Sequence, residues 1–228
     1  MPADRSAPPA VIFDIDGTLL DSAAGIIAGF AYALRAVGIE PPSEDTLRGD
    51  LGPPIETMLR TLGVPERDVG TGVHAYRSFY RTGGLQQAAP YPGVVDLLDE
   101  LERRGVLLGT ATAKRTETAQ AILEHHGLSH YFLVVNGTDD VRTSKTDTLA
   151  YTMELMRRSE PSSMVMVGDR HYDIVGAHAC GVVGVGVTWG YGTADELRRA
   201  GADHVIDQPV ELLALLPMRD GAEPPPAR

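Results

Sequence analysis

Val11-Ile12-Phe13-Asp14-Ile15-Asp16-Gly17-Thr18 is a short apolar run that ends in two carboxylates two positions apart, with Asp21-Ser22 close behind. Its β-branched and aromatic residues suit a strand covered on both faces, and ligands of open α/β sheets gather beyond the carboxyl ends of such strands. Asp14 and Asp16 would repel each other there. A divalent cation or a shared proton would relieve the repulsion, so the pair predicts either metal binding or acid/base work. Gly17 lets the backbone pass close to a ligand.

A second acidic cluster lies far downstream, where the apolar run 163–167 meets Gly168-Asp169-Arg170-His171-Tyr172-Asp173. Asp173 follows Asp169 by four residues, so a helix that begins near Tyr172 would turn both carboxylates to one side. Hard oxygen ligands suit Mg2+, which takes one or two protein carboxylates and completes its shell with water and substrate phosphate oxygens. The chain has 20 basic residues, and Lys114 and Lys145 are its only lysines. Each follows an apolar stretch, and a compact ammonium is a good point charge for a phosphoryl oxygen.

Between the two clusters the pattern changes character. Ile26, Ile27, Phe30, Leu34 and Val37 recur at helical spacing behind a Ser22 cap, and further helices are expected over 55–62 and 73–81. Pro41-Pro42, Gly52-Pro53-Pro54 and Gly83-Gly84 read as breaks. Residues 23–90 are therefore expected to form a helical insert. Helices from Pro92, from Thr116 to His126 and from Lys145 then alternate with strands from Val106, Tyr131 and Ser163, and Val182 to Val187 and His204 to Ile206 add two more. Such alternation predicts a parallel sheet, hence an α/β core of residues 1–22 and 91–217. Thr193 and Glu196 have the spacing of a capping box. Residues 1–9 and 218–228 are expected to be disordered.

At 228 residues and 43% hydrophobic content the chain can bury a sizeable core. No stretch approaches a membrane span, and one cysteine excludes an intramolecular disulfide, which fits the cytoplasm. A formal charge of -11 and scattered arginines disfavour nucleic acid.

Four motifs in order, residues 14–22, Thr112, Lys145 and residues 168–177, resemble those of the haloacid dehalogenase superfamily. The helical insert and the Gly-Asp-Arg form of the last motif are similar to the phosphoglycolate phosphatases and related 5'-nucleotidases. The resemblance implies a Rossmann-like, doubly wound parallel sheet with a small all-helical cap inserted after the first strand. It implies a Mg2+-dependent phosphomonoester hydrolase acting on a small phosphorylated metabolite, monomeric or homodimeric. Asp14 would attack phosphorus to form an aspartyl-phosphate, and Asp16 would protonate the leaving alcohol and then activate water. Thr112 and Lys145 would bind the phosphoryl group. Asp14, the Asp16 carbonyl and Asp169 would hold Mg2+, with Asp173 supporting the shell. Gly17, Ala113, Lys114 and Gly52 would line the substrate site, Gly52 within a segment that resembles the family's specificity loop. Ala113 stands where relatives often carry Asn or Ser. Asp16 argues against carbon-halogen cleavage, and the lack of any lysine between Ser22 and Ala113 argues against Schiff-base phosphonate hydrolysis. A nucleotidase, a sugar-phosphate mutase and a phosphate-binding regulator without turnover stay open as alternatives.

Overall fold

The computed structural model describes residues 9–49, 51–156 and 161–216. The disorder expected for 218–228, and for 1–9 apart from Pro9, lies outside these residues. Strand β1 (Ala10–Phe13) is an interior strand, next to one edge, of a five-stranded parallel sheet. Its neighbours are β4 (Leu107–Thr110) on one side and β7 (Met164–Gly168) on the other, and the sheet continues through β8 (Val183–Val187) and β9 (His204–Ile206). All four residues of β1 are buried because both faces are covered. Val11 and Phe13 pack with Leu97 and Leu101 of α5 (Val94–Arg103) and Ile122 of α6 (Thr116–His125) in one core cluster. Ala10 and Ile12 join Leu149 of α7 (Lys145–Leu155) and Ala177 of α8 (His171–Ala179) in another. Alternate side chains of one strand thus serve two layers, which is the doubly wound α/β arrangement.

The chain goes from β1 to β4 and returns past β1 to β7, so the strand order reverses at β1. Crevices form beyond the carboxyl ends of strands at such a reversal. Asp14 lies there: its N–H still donates to the Val167 carbonyl (2.9 Å), one residue past the end of β1.

Residues 23–87 are helical wherever they are regular: α1 (Ala23–Ala36), α2 (Glu44–Gly49), α3 (Ile55–Thr61), α4 (Glu66–Phe79), a π turn at Tyr80–Gly84 and a 3-10 turn at Leu85–Gln87. The insert leaves and rejoins the core through a short antiparallel pair, β2 (Leu20–Asp21) with β3 (Ala89–Pro90). The helix expected over 73–81 begins seven residues earlier, and Gly83-Gly84 lies inside the π turn. Gly25 and Gly29 on α1 leave room for this packing, since a Cβ at Gly29 would stand 2.8 Å from the Tyr76 ring.

Two local expectations need correction. The strand expected from Tyr131 is a 3-10 turn at Ser129–Tyr131 followed by a single bridge between Val134 and Gly109. Regular pairing begins only at β6 (Gly137–Thr138), alongside β5 (Thr112–Arg115). The hydrophobic run there packs against the core without a ladder. The Thr193–Glu196 box at α9 (Ala194–Arg199) is half formed: Thr193 accepts from the Glu196 N–H, but the Glu196 carboxylate turns to Arg170 and His171 instead.

A buried polar relay places α7. The Asn136 side chain donates to the Thr148 carbonyl (3.1 Å) and to the Thr152 hydroxyl (2.9 Å), and Thr152 donates to the Thr110 carbonyl at the end of β4. Ser144 caps the helix by accepting from the Asp147 N–H. These bonds put Lys145, the first residue of α7, against the carboxyl ends of β1 and β4.

Candidate active site

A lysine in the first helical turn faces the positive end of the helix dipole, an unfavourable position unless anions offset it. Three acceptors do so: the Lys145 ammonium donates to the Ala111 carbonyl (2.9 Å) and lies 2.8 Å from Asp173 Oδ1 and 3.1 Å from Asp14 Oδ1. Burial alone would lower the Lys145 pKa, but Asp14 and Asp173 outweigh it and hold the ammonium above the ordinary lysine range. Asp173 also caps α8, accepting from the Arg170 N–H at 3.0 Å.

Asp14, Asp169 and Asp173 are all buried, and one oxygen from each lies within 4.8 Å of the others. One lysine cannot balance three carboxylates. Burial first, then the neighbouring carboxylates, push Asp169 well above the usual range, and burial outweighs Lys145 to push Asp173 up as well. Among the described residues, Asp14 Oδ1 and Asp173 Oδ1 share the single Lys145 ammonium as their cation. Excess negative charge on buried hard oxygens suits a divalent cation, so these residues fit Mg2+.

The linkage has a definite sign. Asp169 and Asp173 bind protons more tightly folded than unfolded, so their contribution favours folding below about pH 3.9 and is lost as pH rises through their raised values. Thermal melts of metal-free protein should therefore show stability draining from acid toward neutral pH on account of these groups, and Mg2+ should raise the melting temperature most above neutrality. A Mg2+ effect equal at both ends of that range would contradict the cluster as the binding site.

The Asp16 carboxylate is not part of this cluster. Its Oδ2 lies 2.9 Å from the Lys114 ammonium, and its Oδ1 accepts from the Ser22 hydroxyl. Ser22 therefore occupies the cap position of α1 without a side-chain cap bond, contrary to the sequence reading, because its hydroxyl is committed to the site. Tyr191 supports it, with the phenol oxygen 3.1 Å from both the Ser22 N–H and the Ser22 hydroxyl. Lys114 donates in turn to the Tyr80 hydroxyl (2.8 Å), at the start of the π turn. The insert and the core thus meet at Lys114, beside Asp16.

The loop after β8 fastens the other side. Trp189 donates to the Thr18 carbonyl (3.0 Å), the Tyr191 N–H to Asp169 Oδ2 (2.7 Å) and the Thr18 hydroxyl to Asp169 Oδ1 (3.4 Å). A Cβ at Gly190 would lie 2.2 Å from the Gly17 carbonyl oxygen and 2.4 Å from Asp169 Cβ. Gly17, at φ +78°, also stands against Asp169, whose Oδ2 a Cβ there would meet at 2.2 Å. Gly190→Ala should therefore displace Asp169 and raise the Mg2+ concentration needed for half-maximal effect by about tenfold, measured by titration calorimetry, the equivalent of about 1.4 kcal/mol. Unchanged affinity would show that the Asp169 position is immaterial to the cation.

A cavity of about 360 Å³ opens between insert and core, and Asp14, Asp16, Gly52, Thr112, Ala113 and Lys114 all line it. Gly17, Lys145, Asp169 and Asp173 do not line it; the last three form the buried cluster around Asp14. Thr112 is buried and accepts from the Lys114 N–H (3.4 Å), while the Ala113 carbonyl accepts from Thr138 (3.1 Å). Gly52, at φ +129°, presses on Arg170, whose Nε pairs with Glu196 at 2.9 Å. Sequence reasoning missed Ser22, Tyr80 and Tyr191 as parts of the site. Among the described residues no helix is long and apolar enough to cross a membrane.

A family model described as haloacid dehalogenase-like hydrolase matches residues 11–187. The Mycobacterium tuberculosis protein named tyrosine-protein kinase PtkA is 42% identical over 83% of this chain, which spans 65% of that protein's length. A 5'-nucleotidase of Pseudomonas aeruginosa is 33% identical over 83% of this chain and 87% of its own. A phosphoglycolate phosphatase of Agrobacterium fabrum is 32% identical over 82% and 83%. Among solved structures, a predicted phosphatase from Clostridium acetobutylicum superposes with a TM-score of 0.86 at 32% identity, covering 92% of this chain and 98% of that one.

Proposed function

The chain belongs to the haloacid dehalogenase-like hydrolases, and from that premise we propose that it is a Mg2+-dependent phosphomonoesterase working through an aspartyl-phosphate on Asp14. One observation carries the proposal: two aspartates two residues apart sit in different surroundings, Asp14 among buried acids and Lys145, Asp16 between Lys114 and Ser22. Different surroundings suit different tasks for two carboxylates.

In this reading Asp14 Oδ attacks phosphorus as the ester oxygen leaves, and Asp16 delivers the proton that the departing alkoxide needs. Asp16 then takes a proton from the water that cleaves the aspartyl-phosphate, which releases inorganic phosphate and restores Asp14. Thr112 would hydrogen-bond the phosphoryl oxygens, and Lys145 would offset their charge and keep Asp14 aimed. Asp14, the Asp16 carbonyl and Asp169, backed by Asp173, would hold Mg2+, which when bound stabilises negative charge on the phosphoryl oxygens. Residues 23–90 would act as a cap that excludes water from the core formed by 1–22 and 91–217. The substrate is a small phosphorylated metabolite, with phosphoglycolate and nucleoside monophosphates as the esters named for its relatives.

Phosphate release from p-nitrophenyl phosphate, with and without Mg2+, tests the proposal. Release should require Mg2+, and ester consumed without free phosphate would instead signal transfer to another acceptor. Asp16→Asn should slow hydrolysis of an alkyl phosphate by about 10²–10⁴-fold and of p-nitrophenyl phosphate far less, because nitrophenolate leaves without a proton. Equal losses on both would remove the acid role.

A further inference from the structure

The reaction proposed above concerns the phosphoryl end of the substrate; the outer cavity concerns what phosphate is attached to. Ile26, Phe30, Leu51, Ile55, Met58 and Tyr76 give that part of the cavity an apolar and aromatic lining. Phe30, Tyr76 and Tyr80 form a run of rings, with centroids 4.8 Å and 5.7 Å apart and the second pair stacked at 9°. At about 360 Å³ the space falls in the range of pockets that enclose whole organic ligands, roughly 300–1,000 Å³, and exceeds the need of a two-carbon acid.

The cations that border it are mostly matched. Lys114 is held by Asp16 and Tyr80, Arg115 pairs with Asp140 (2.7 Å) and stands 3.5 Å from Glu117, and Arg77 reaches Glu56 at 3.0 Å. Arg81, at the rim, is exposed, where an ion pair gains little against water and salt. A carboxylate entering here would have to break an existing pair in a chain of formal charge -11. Arg77 keeps one buried donor without a partner, its Nε, while Glu56 already meets its charge. Burial shuts that Nε off from the cavity, so the apolar wall, with its bordering charges mostly matched, suits a neutral ring more than a second anion.

Resting on the phosphomonoesterase reading, we infer that the preferred ester carries an uncharged, ring-bearing leaving group, a nucleoside or a phenol, rather than a short carboxylic acid. The apolar lining would bind the ring, and size separates the two sources, since a nucleoside fills more of the cavity than a phenol.

The test compares kcat/KM at saturating Mg2+ for a nucleoside 5'-monophosphate, phenyl phosphate and phosphoglycolate, in the wild type and in Ile55→Arg, which adds an unmatched cation to the wall. The wild type should favour both ring-bearing esters over phosphoglycolate by about tenfold or more, and Ile55→Arg should shift the ratio toward phosphoglycolate by a similar factor. A nucleotide that outruns phenyl phosphate despite its poorer leaving group would assign the cavity to a nucleoside, and the reverse to a phenol. Phosphoglycolate turned over as well as or better than the ring-bearing esters would overturn the inference while leaving the phosphatase intact. No phosphate from any of the three would overturn both.

Discussion

Asp14→Asn should abolish turnover, lowering kcat by about 10⁴–10⁶-fold, the scale on which removal of a catalytic nucleophile is felt. The exchange keeps the volume of a buried side chain and leaves the Asp14 N–H bonded to Val167, so the fold should survive. It also removes one of three carboxylates served by a single lysine. The metal-free variant should therefore melt no lower than the wild type, and Mg2+ should stabilise it less. Single-turnover phosphate release together with melting curves with and without Mg2+ would check both halves. Activity near that of the wild type would sink the nucleophile assignment, whatever the melts show.

Lys145→Ala should be the most destabilising change in the site. It leaves Asp14 and Asp173 buried without their only cation among the described residues, and loss of one member of a buried ion pair costs about 3–5 kcal/mol. The pH dependence follows from the shifts. The Lys145 pKa is raised on folding, so its contribution is complete below the ordinary lysine value of about 10.4 and fades only as pH climbs through the raised one. Near pH 7.5 the variant should show the full loss. Toward pH 5 the loss should shrink, because the raised Asp173 takes up a proton and needs the lysine less. Mg2+ should restore part of the stability, since it supplies charge to the same oxygens, but not the activity. Urea unfolding at both pH values, with and without Mg2+, measures this; wild-type stability at pH 7.5 without Mg2+ would contradict it.

What the sequence made legible was whatever local periodicity and strand ends could carry. Asp14 and Asp169 follow apolar strands by one residue, Asp173 lies one helical turn on, and Lys145 opens a helix behind a capping serine; each placement rests on neighbours within a few residues. The sheet order was not legible, because nothing in β1 or β8 states which strand it will join. Ser22 was legible as a cap, the usual office of serine at a helix start, yet its hydroxyl is drawn to Asp16 by a three-dimensional neighbourhood completed by Tyr191, 169 positions away. No local spacing rule ties Tyr191 to Ser22 or Asp16. Tyr80 read as an ordinary helical residue because no spacing rule reveals a π turn. The strand expected from Tyr131 failed for a related reason: hydrophobicity half-buried the run, but backbone pairing there stops at Leu133 with Leu108 and Val134 with Thr110.

The place of β1 between two later strands sets a schedule for synthesis. This strand is made well before its neighbours β4 and β7, which begin at residues 107 and 164. At ribosomal speeds of about 5–20 residues per second, an apolar strand with two open edges waits on the order of ten seconds for its second partner. Unpaired edges of this kind attract other chains, so the nascent protein is open to mispairing until both edges are taken. Pairing distant segments late is slow, and the acids after β1 and β7 meet only when that pairing is done. Catalytic competence therefore cannot precede the last steps of folding, and a ribosome stalled before residue 164 would carry Asp14 and Lys145 with no site between them.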